Sequence, residues 1–215
     1  MRRCSECVAA GNELVLFTKG RERSTDDECP ICSRLLPLED NKWMLQTCCM
    51  KTTCLGCAYQ TRMSDDCPFC RAPNAVSYEE DFPTIKKRVD VGDPVAIHYL
   101  GDSYMKGING FERDVPKAVE LLERAAALGS KEAHLQLGVL FDRFSVDWGI
   151  DKDLARAVGH YEFAAKQGKA LSRHNLGVIE HNTGSKGLAL KHFMISAKLG
   201  DTDSLEKSRT CSKGG

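Results

Sequence analysis

The chain has 215 residues, with 30 basic and 30 acidic side chains and no formal net charge, so no overall field draws it onto nucleic acid or an anionic membrane. A protein is the expected partner. An apolar content of 42% suits a globular chain of one or two domains. Ten of the 11 cysteines fall between Cys4 and Cys70, and all six histidines between His98 and His192, which predicts two regions under different chemical demands.

The opening residues, MRRCSECVAAGNELVLF, lack the apolar core of a secretory signal, and no stretch reaches the roughly 18 apolar residues of a membrane span. The expectation is an intracellular chain, cytoplasmic or nuclear, with no membrane association. In a reducing compartment paired cysteines take metal rather than form disulfides. Residues 1–28 are expected to be a flexible arm, since Gly20 to Asp27 is polar and without apolar period. Cys4 and Cys7 make one Cys-x2-Cys pair on that arm. It is either an exposed pair or part of a site completed elsewhere.

The next segment is a cysteine framework. Cys29-x2-Cys32 is followed after fifteen residues by Cys48 and Cys49, after four by Cys54-x2-Cys57, and after nine by Cys67-x2-Cys70. A Cys-x2-Cys turn presents two sulfurs on one side at tetrahedral distance, and structural zinc takes four ligands, so eight thiolates correspond to two zinc ions. No histidine precedes His98, and the set is therefore all cysteine. The pairs can interleave or follow one another as two sequential knuckles. A further alternative leaves Cys48 or Cys49 a free thiol and the second ion short of one protein ligand. A segment this short cannot offset its conformational entropy with Leu35, Leu36, Leu38, Trp43 and Leu45, whereas structural zinc contributes ~10 to 16 kcal/mol in small peptides. A strand or hairpin is expected around Trp43 and Leu45 before Cys48, and a helical turn or two over Ala58 to Met63.

With CPIC, CC, CLGC and CPFCR in this order, residues 29–71 resemble the RING finger family in its all-cysteine variant. The resemblance implies a cross-brace, with one zinc on Cys29, Cys32, Cys54 and Cys57 and the other on Cys48, Cys49, Cys67 and Cys70. It also implies a ubiquitin ligase, which has no catalytic side chain and holds a ubiquitin-charged conjugating enzyme in a reactive orientation. The family's contact positions fall on Ile31, Pro68 and Arg71, the last acting as a donor to both enzyme and ubiquitin. The sequence departs from the family at Thr61, where ligases often carry a large apolar side chain; Tyr59 and Met63 are the neighbours available to substitute. Residues 72–91 form a linker, with charge runs read as solvated faces and a short helix expected from about Pro83 to Val89.

From Gly92 the chain is periodic. Leu100-Gly101, Leu137-Gly138 and Leu176-Gly177 each precede a second motif: Ala118, Leu122, Ala125, Ala126, Gly129; Ala157, Tyr161, Ala164, Ala165, Gly168; and Ala189, Phe193, Ser196, Ala197, Gly200. Offsets of three and four place these residues on one helical face, with glycine as the left-handed cap, so each repeat is two helices. Asp114, Asp153 and Ser185 stand at the caps of the second helices, and Asp93-Pro94 starts the first repeat. AVELLERAAALG and AVGHYEFAAKQG resemble Sel1-like repeats, relatives of the tetratricopeptide family. The expected repeats are 92–129, 130–168 and 169–200, with a partial helix near Ser204 inside a region ending at 209 and a tail over 210–215. The third copy, with Ser172 and Glu180 replacing the alanine and aromatic of the others, is expected to close the array.

The expected fold is multidomain, a small zinc-stabilised α+β module followed by an all-α helical-hairpin solenoid. Two functions are compatible with it. One is a ligase or ligase subunit that recruits a conjugating enzyme and ubiquitin through the cysteines and a substrate or adaptor through the repeats; the other is a non-catalytic zinc-binding scaffold. The histidines read as surface or half-buried helix residues, and Cys211 as an incidental thiol.

Overall fold

The computed structural model describes residues 16–61, 66–75, 77–143 and 150–213, with the side chains of Asp40 and residues 210–213 left aside. The expectations for Cys4, Cys7, Met63 and the Cys211 thiol therefore lie outside the described residues. The chain divides into two compact units. One runs from Thr25 to Ala133, and the other joins the segment up to Ser24 with His134 to Gly215.

In the unit from Thr25 to Ala133, β1 (Trp43–Gln46) and β2 (Lys51–Cys54) pair antiparallel with Trp43 opposite Cys54 and Gln46 opposite Lys51. The hairpin does not simply precede the adjacent cysteines as expected. It brackets them, so that Cys48 and Cys49 sit in its loop. Helix α1 (Leu55–Thr61) follows directly on Cys54 and carries Cys57. Leu36 is the leucine that joins the small core of Cys29 and Cys57, against which Trp43 and Cys54 pack, while Leu35 is 52% exposed.

Helix α2 spans Tyr78–Asp90, longer than the expected Pro83–Val89. Ser77 accepts from the Glu80 amide, and Glu79, Glu80 and Asp81 fill the first turn, where carboxylates favour the helix dipole. The acidic run starts the helix, with Glu79 and Glu80 exposed. The helix is also tied to the cysteine loop: Thr47 Oγ1 donates to Asp81 at 2.7 Å, and Arg88 Nε donates to the Cys48 carbonyl at 3.0 Å. Arg88 Nη1 reaches Asp93 at 2.8 Å, the residue whose carboxylate caps α3 (Pro94–Lys106). Helix α4 (Val115–Ala127), capped by Asp114, completes the first hairpin, and Arg124 donates to the Val89 carbonyl at 2.8 Å.

The repeats continue as α5 (Lys131–Arg143), α6 (Leu154–Lys166), α7 (Ala170–Asn182) and α8 (Lys186–Lys198), followed by α9 (Thr202–Lys213). The architecture is a small α+β region followed by a run of paired helices of the solenoid type. Asp153 caps α6 through the Arg156 amide as expected, but Ser185 makes no side-chain bond at the start of α8. The terminal helix is twelve residues long and runs into the region expected to be a tail.

The aligned glycines have one structural task. A Cβ on Gly138 would lie 2.5 Å from the Tyr161 ring, and one on Gly177 would lie 2.7 Å from the Phe193 ring. Tyr161 and Phe193 are the aligned large residues of the second helices, and both are buried. The Leu-Gly dipeptide therefore supplies a hole into which the hairpin's own second helix places its largest side chain.

Residues 16–24 differ from the flexible arm expected over 1–28 from the polarity of Gly20 to Asp27. Leu16 is buried, and the buried Arg173 of α7 donates to the carbonyls of Leu16, at 2.6 Å, and Lys19. Polarity predicts solvation when no partner is visible locally, and here the partner lies more than a hundred residues downstream.

Candidate metal centre

The first and last Cys-x2-Cys turns have the same backbone. The Cys29 amide donates to the Arg34 carbonyl at 2.8 Å and the Ser33 amide to the Cys29 carbonyl at 2.8 Å; the matching bonds, Cys67 to Ala72 and Arg71 to Cys67, measure 2.7 and 3.0 Å. Isolated bridges pair Glu28 with Leu35 and Asp66 with Pro73. Each turn closes on itself and carries its two cysteines on one short loop, the first buried and the second exposed.

The eight sulfurs gather into two quartets, Cys29, Cys32, Cys54 and Cys57, and Cys48, Cys49, Cys67 and Cys70, each with all four Sγ atoms within 4.8 Å of one another. The first knuckle thus joins β2 and α1, and the last knuckle joins the hairpin loop. The pairing is interleaved, not sequential, and Cys48 and Cys49 enter the same quartet. Sulfur separations of 3.9 Å for Cys32 and Cys54, 3.8 Å for Cys49 and Cys67 and 3.4 Å for Cys48 and Cys70 bracket the edge of about 3.8 Å that four thiolates make around one tetrahedral zinc.

The electrostatics call for a cation in each quartet. Burial works against the Cys29 thiolate, but the amides of Cys32, Cys54 and Ile31 outweigh it and hold the thiol down at about 6. At Cys67 burial is likewise outweighed, here by the amides of Cys70 and Phe69, and the thiol sits at about 7. Their neighbours move the other way: burial, then the surrounding sulfurs, push Cys57 up to about 12 and also raise Cys48 and Cys49. Cys29 and Cys67 are favoured as thiolates by backbone dipoles, whereas Cys57, Cys48 and Cys49 need a positive ion to ionise beside them. The donor set and its spacing fit a divalent, thiophilic metal that closes all four positions, which is a structural rather than a hydrolytic centre.

Of the side chains singled out beside the cysteines, Ile31 is 40% exposed, Pro68 half-buried and Arg71 exposed. Arg71 holds φ at 60°, in the left-handed region. Thr61 turns its hydroxyl back onto its own helix, donating to the carbonyls of Cys57 at 3.0 Å and Ala58 at 3.2 Å, while Tyr59 is 65% exposed. Arg88 was not among the residues expected at the site. Its sequence signal was a basic run, which does not reveal that one member reaches the backbone of Cys48, 40 positions earlier.

The histidines are not uniformly superficial. His134 and His160 approach through their Nδ1 atoms at 2.9 Å, His174 pairs with Asp201 at 3.0 Å, and His192 is 2% exposed against the Phe17 ring at 4.7 Å. Among the described residues, the groups of three or more ligand side chains are the two cysteine quartets. No described helix is long and apolar enough to cross a membrane.

The Sel1 repeat model matches residues 94–130 and 131–169. The ERAD-associated E3 ubiquitin-protein ligase component HRD3B of Arabidopsis thaliana is 31% identical over 102 residues, which cover 47% of this chain and 15% of that protein. A Sel1 repeat protein from Oxalobacter formigenes superposes with a TM-score of 0.55 at 24% identity, covering 62% of this chain and 55% of that one. A protective antigen of uropathogenic Escherichia coli, displaying an SLR fold, gives 0.56 at 21% identity, with coverage of 75% and 33%. The chain thus spans less than two thirds of each of these relatives, and the two structural likenesses speak for the fold alone. The third hairpin lies beyond the matched residues yet repeats their packing through Gly177 and Phe193. An interleaved eight-cysteine cluster followed by Sel1-like helical repeats is what this chain contains.

Proposed function

We propose that the chain is a non-catalytic interaction scaffold, intracellular in the cytoplasm or nucleus, whose residues 29–71 hold two zinc ions and whose residues 92–209 hold a protein partner. The observation that carries this reading is Thr61. At the place where RING-type ligases often offer a large apolar side chain to the conjugating enzyme, this chain has a short residue whose hydroxyl is committed to the Cys57 and Ala58 carbonyls. An interface that lacks a central apolar anchor loses most of its binding energy. Sel1-like hairpins, in turn, present extended side-chain surfaces suited to protein partners.

A second reading keeps the RING resemblance whole and makes the chain a ubiquitin ligase or ligase subunit. Exposed Ile31 and Arg71 favour it, as does similarity to a protein named as an E3 ubiquitin-protein ligase component. Single-turnover discharge of ubiquitin from a panel of charged conjugating enzymes separates the two. The scaffold reading expects the zinc-loaded chain to leave every discharge rate unchanged. Acceleration that Arg71→Ala abolishes while both ions remain bound would overturn it in favour of the ligase.

A further inference from the structure

Residues 16–24 are seated on α6, α7 and α8 by contacts that look like ligand recognition. Arg173 is fully buried, and its Nη2 donates to the Leu16 and Lys19 carbonyls, while Nε and Nη1 have no hydrogen-bond partner. A guanidinium kept out of water with two of its nitrogen atoms unsatisfied is costly as a structural element. Arginine is, however, well suited to gripping successive acceptors on an incoming chain.

Around that grip the fit is specific. Leu16 is buried, and Phe17 lies against His192 with Lys191 Nζ 5.2 Å above its ring. Gly20 holds φ at 62°, and a Cβ there would be driven into the Ala165 carbonyl oxygen. On the other side, a Cβ on Gly168 would strike the Glu22 carbonyl oxygen. Two backbones therefore approach with no side chain between them, and the pattern Leu-Phe-x-x-Gly is read at three of its five positions. Lys198 faces Glu22 at 3.9 Å, an exposed pair that adds little.

We propose that the surface of α6, α7 and α8 around Arg173 is a binding groove for a peptide whose helical start bears an aliphatic–aromatic pair and which carries a glycine three residues after the aromatic, and that residues 16–24 fill it as a ligand held in cis. This deepens the reading of the repeats as the partner-holding half of the scaffold. A partner must displace the internal segment, whose tether gives it a high effective concentration. Phe17 and Arg173 are the anchors; the register is set by Gly20.

The test uses the full chain and a fluorescent peptide, LFTKGRERS, copied from residues 16–24. Gly20→Val should expel the internal segment and bind the added peptide at least about tenfold more tightly than wild type, in which the groove is filled. Adding Arg173→Met to Gly20→Val should remove that gain, as should valine in place of glycine in the peptide. Equal binding by wild type and Gly20→Val would overturn the proposal. Hydrogen exchange of the wild-type chain reports independently of any variant. Residues 16–24 should exchange at least about tenfold faster than α6, α7 and α8, and equal protection would make the segment a fixed part of the fold and reject the groove. The discharge assay reads the cysteine module and the peptide assay reads α6 to α8, so either reading can fail without the other.

Discussion

Ser33 and Arg71 hold the same left-handed backbone, φ 55° and 60°, each one residue past the second cysteine of its knuckle. The conformation aims the amide back at the first cysteine's carbonyl, closing the turn. A non-glycine residue there strains against its own Cβ, so Ser33→Gly and Arg71→Gly should each stabilise the module by about 1 kcal/mol, while Ser33→Val should destabilise it by a similar amount. Thermal melts of the metal-loaded variants, ranked in that order, check the geometry. A stability loss on either glycine substitution would contradict it.

Because the quartets interleave, metal loss should act on the module as a whole. The purified chain should hold two zinc ions, and Cys48→Ser and Cys49→Ser should each leave one ion tightly bound, since each removes one sulfur from the same quartet. Structural zinc contributes ~10 to 16 kcal/mol in small peptides, more than the cluster around Leu36 and Trp43 supplies, so a chelator should unfold both strands and α1. Arg88 then loses the Cys48 carbonyl, and α2 should loosen too. Helices α6 to α8 bury their own faces, and their hydrogen exchange should not change. Elemental analysis and exchange on the same samples decide both points.

The legible parts of this protein are those written in local spacing. Eight cysteines at zinc intervals and repeated Leu-Gly motifs in helical register each encode their neighbours within a few tens of residues, and the eight expected ligands do come together. The illegible parts are pairings across long separations. Arg88 reads as one charge in a basic run, yet it joins the Cys48 carbonyl to the cap of α3. Leu16 to Ser24 reads as solvated arm because its burial depends on Arg173, and His192 reads as ordinary helix because Phe17, which covers it, lies far upstream. The error at Ser185 is of another kind. Its position in the repeat is right, but ψ is 58°, outside the extended geometry from which a hydroxyl reaches the first free amides.

That difference can be measured. Asp114 and Asp153 accept from the amides of Lys117 and Arg156, both at 3.0 Å, so alanine at either position should cost about 1 kcal/mol. Ser185→Ala removes no cap bond and should change stability by less than about 0.5 kcal/mol. Urea melts of the three variants should separate the aspartates from the serine. An equal loss in all three would show that Ser185 caps α8 after all.

His192 makes the stability of the repeats depend on acid. Its burial, then the nearby Arg173 and Lys191 charges, hold the imidazole down at about 3, against an ordinary value of 6.5. The unfolded chain therefore binds a proton at His192 that the folded chain refuses. A depressed pKa of this sign gives stability that is complete above the unfolded value and drains as pH falls from 6.5 towards 3. Between about pH 7.5 and about pH 4.5 the loss from this residue is on the order of 2 kcal/mol, with no discount for solvent because the side chain is buried. His192→Leu removes the titration at similar volume and also deletes an Nδ1 that has no hydrogen-bond partner. The variant should lose less stability than wild type over that interval, even if its neutral-pH stability differs. Parallel denaturant titrations at the two pH values give the comparison directly. Equal acid sensitivity in the two chains would mean that His192 takes up its proton in the folded state, with Arg173 and Lys191 moving aside to accept it.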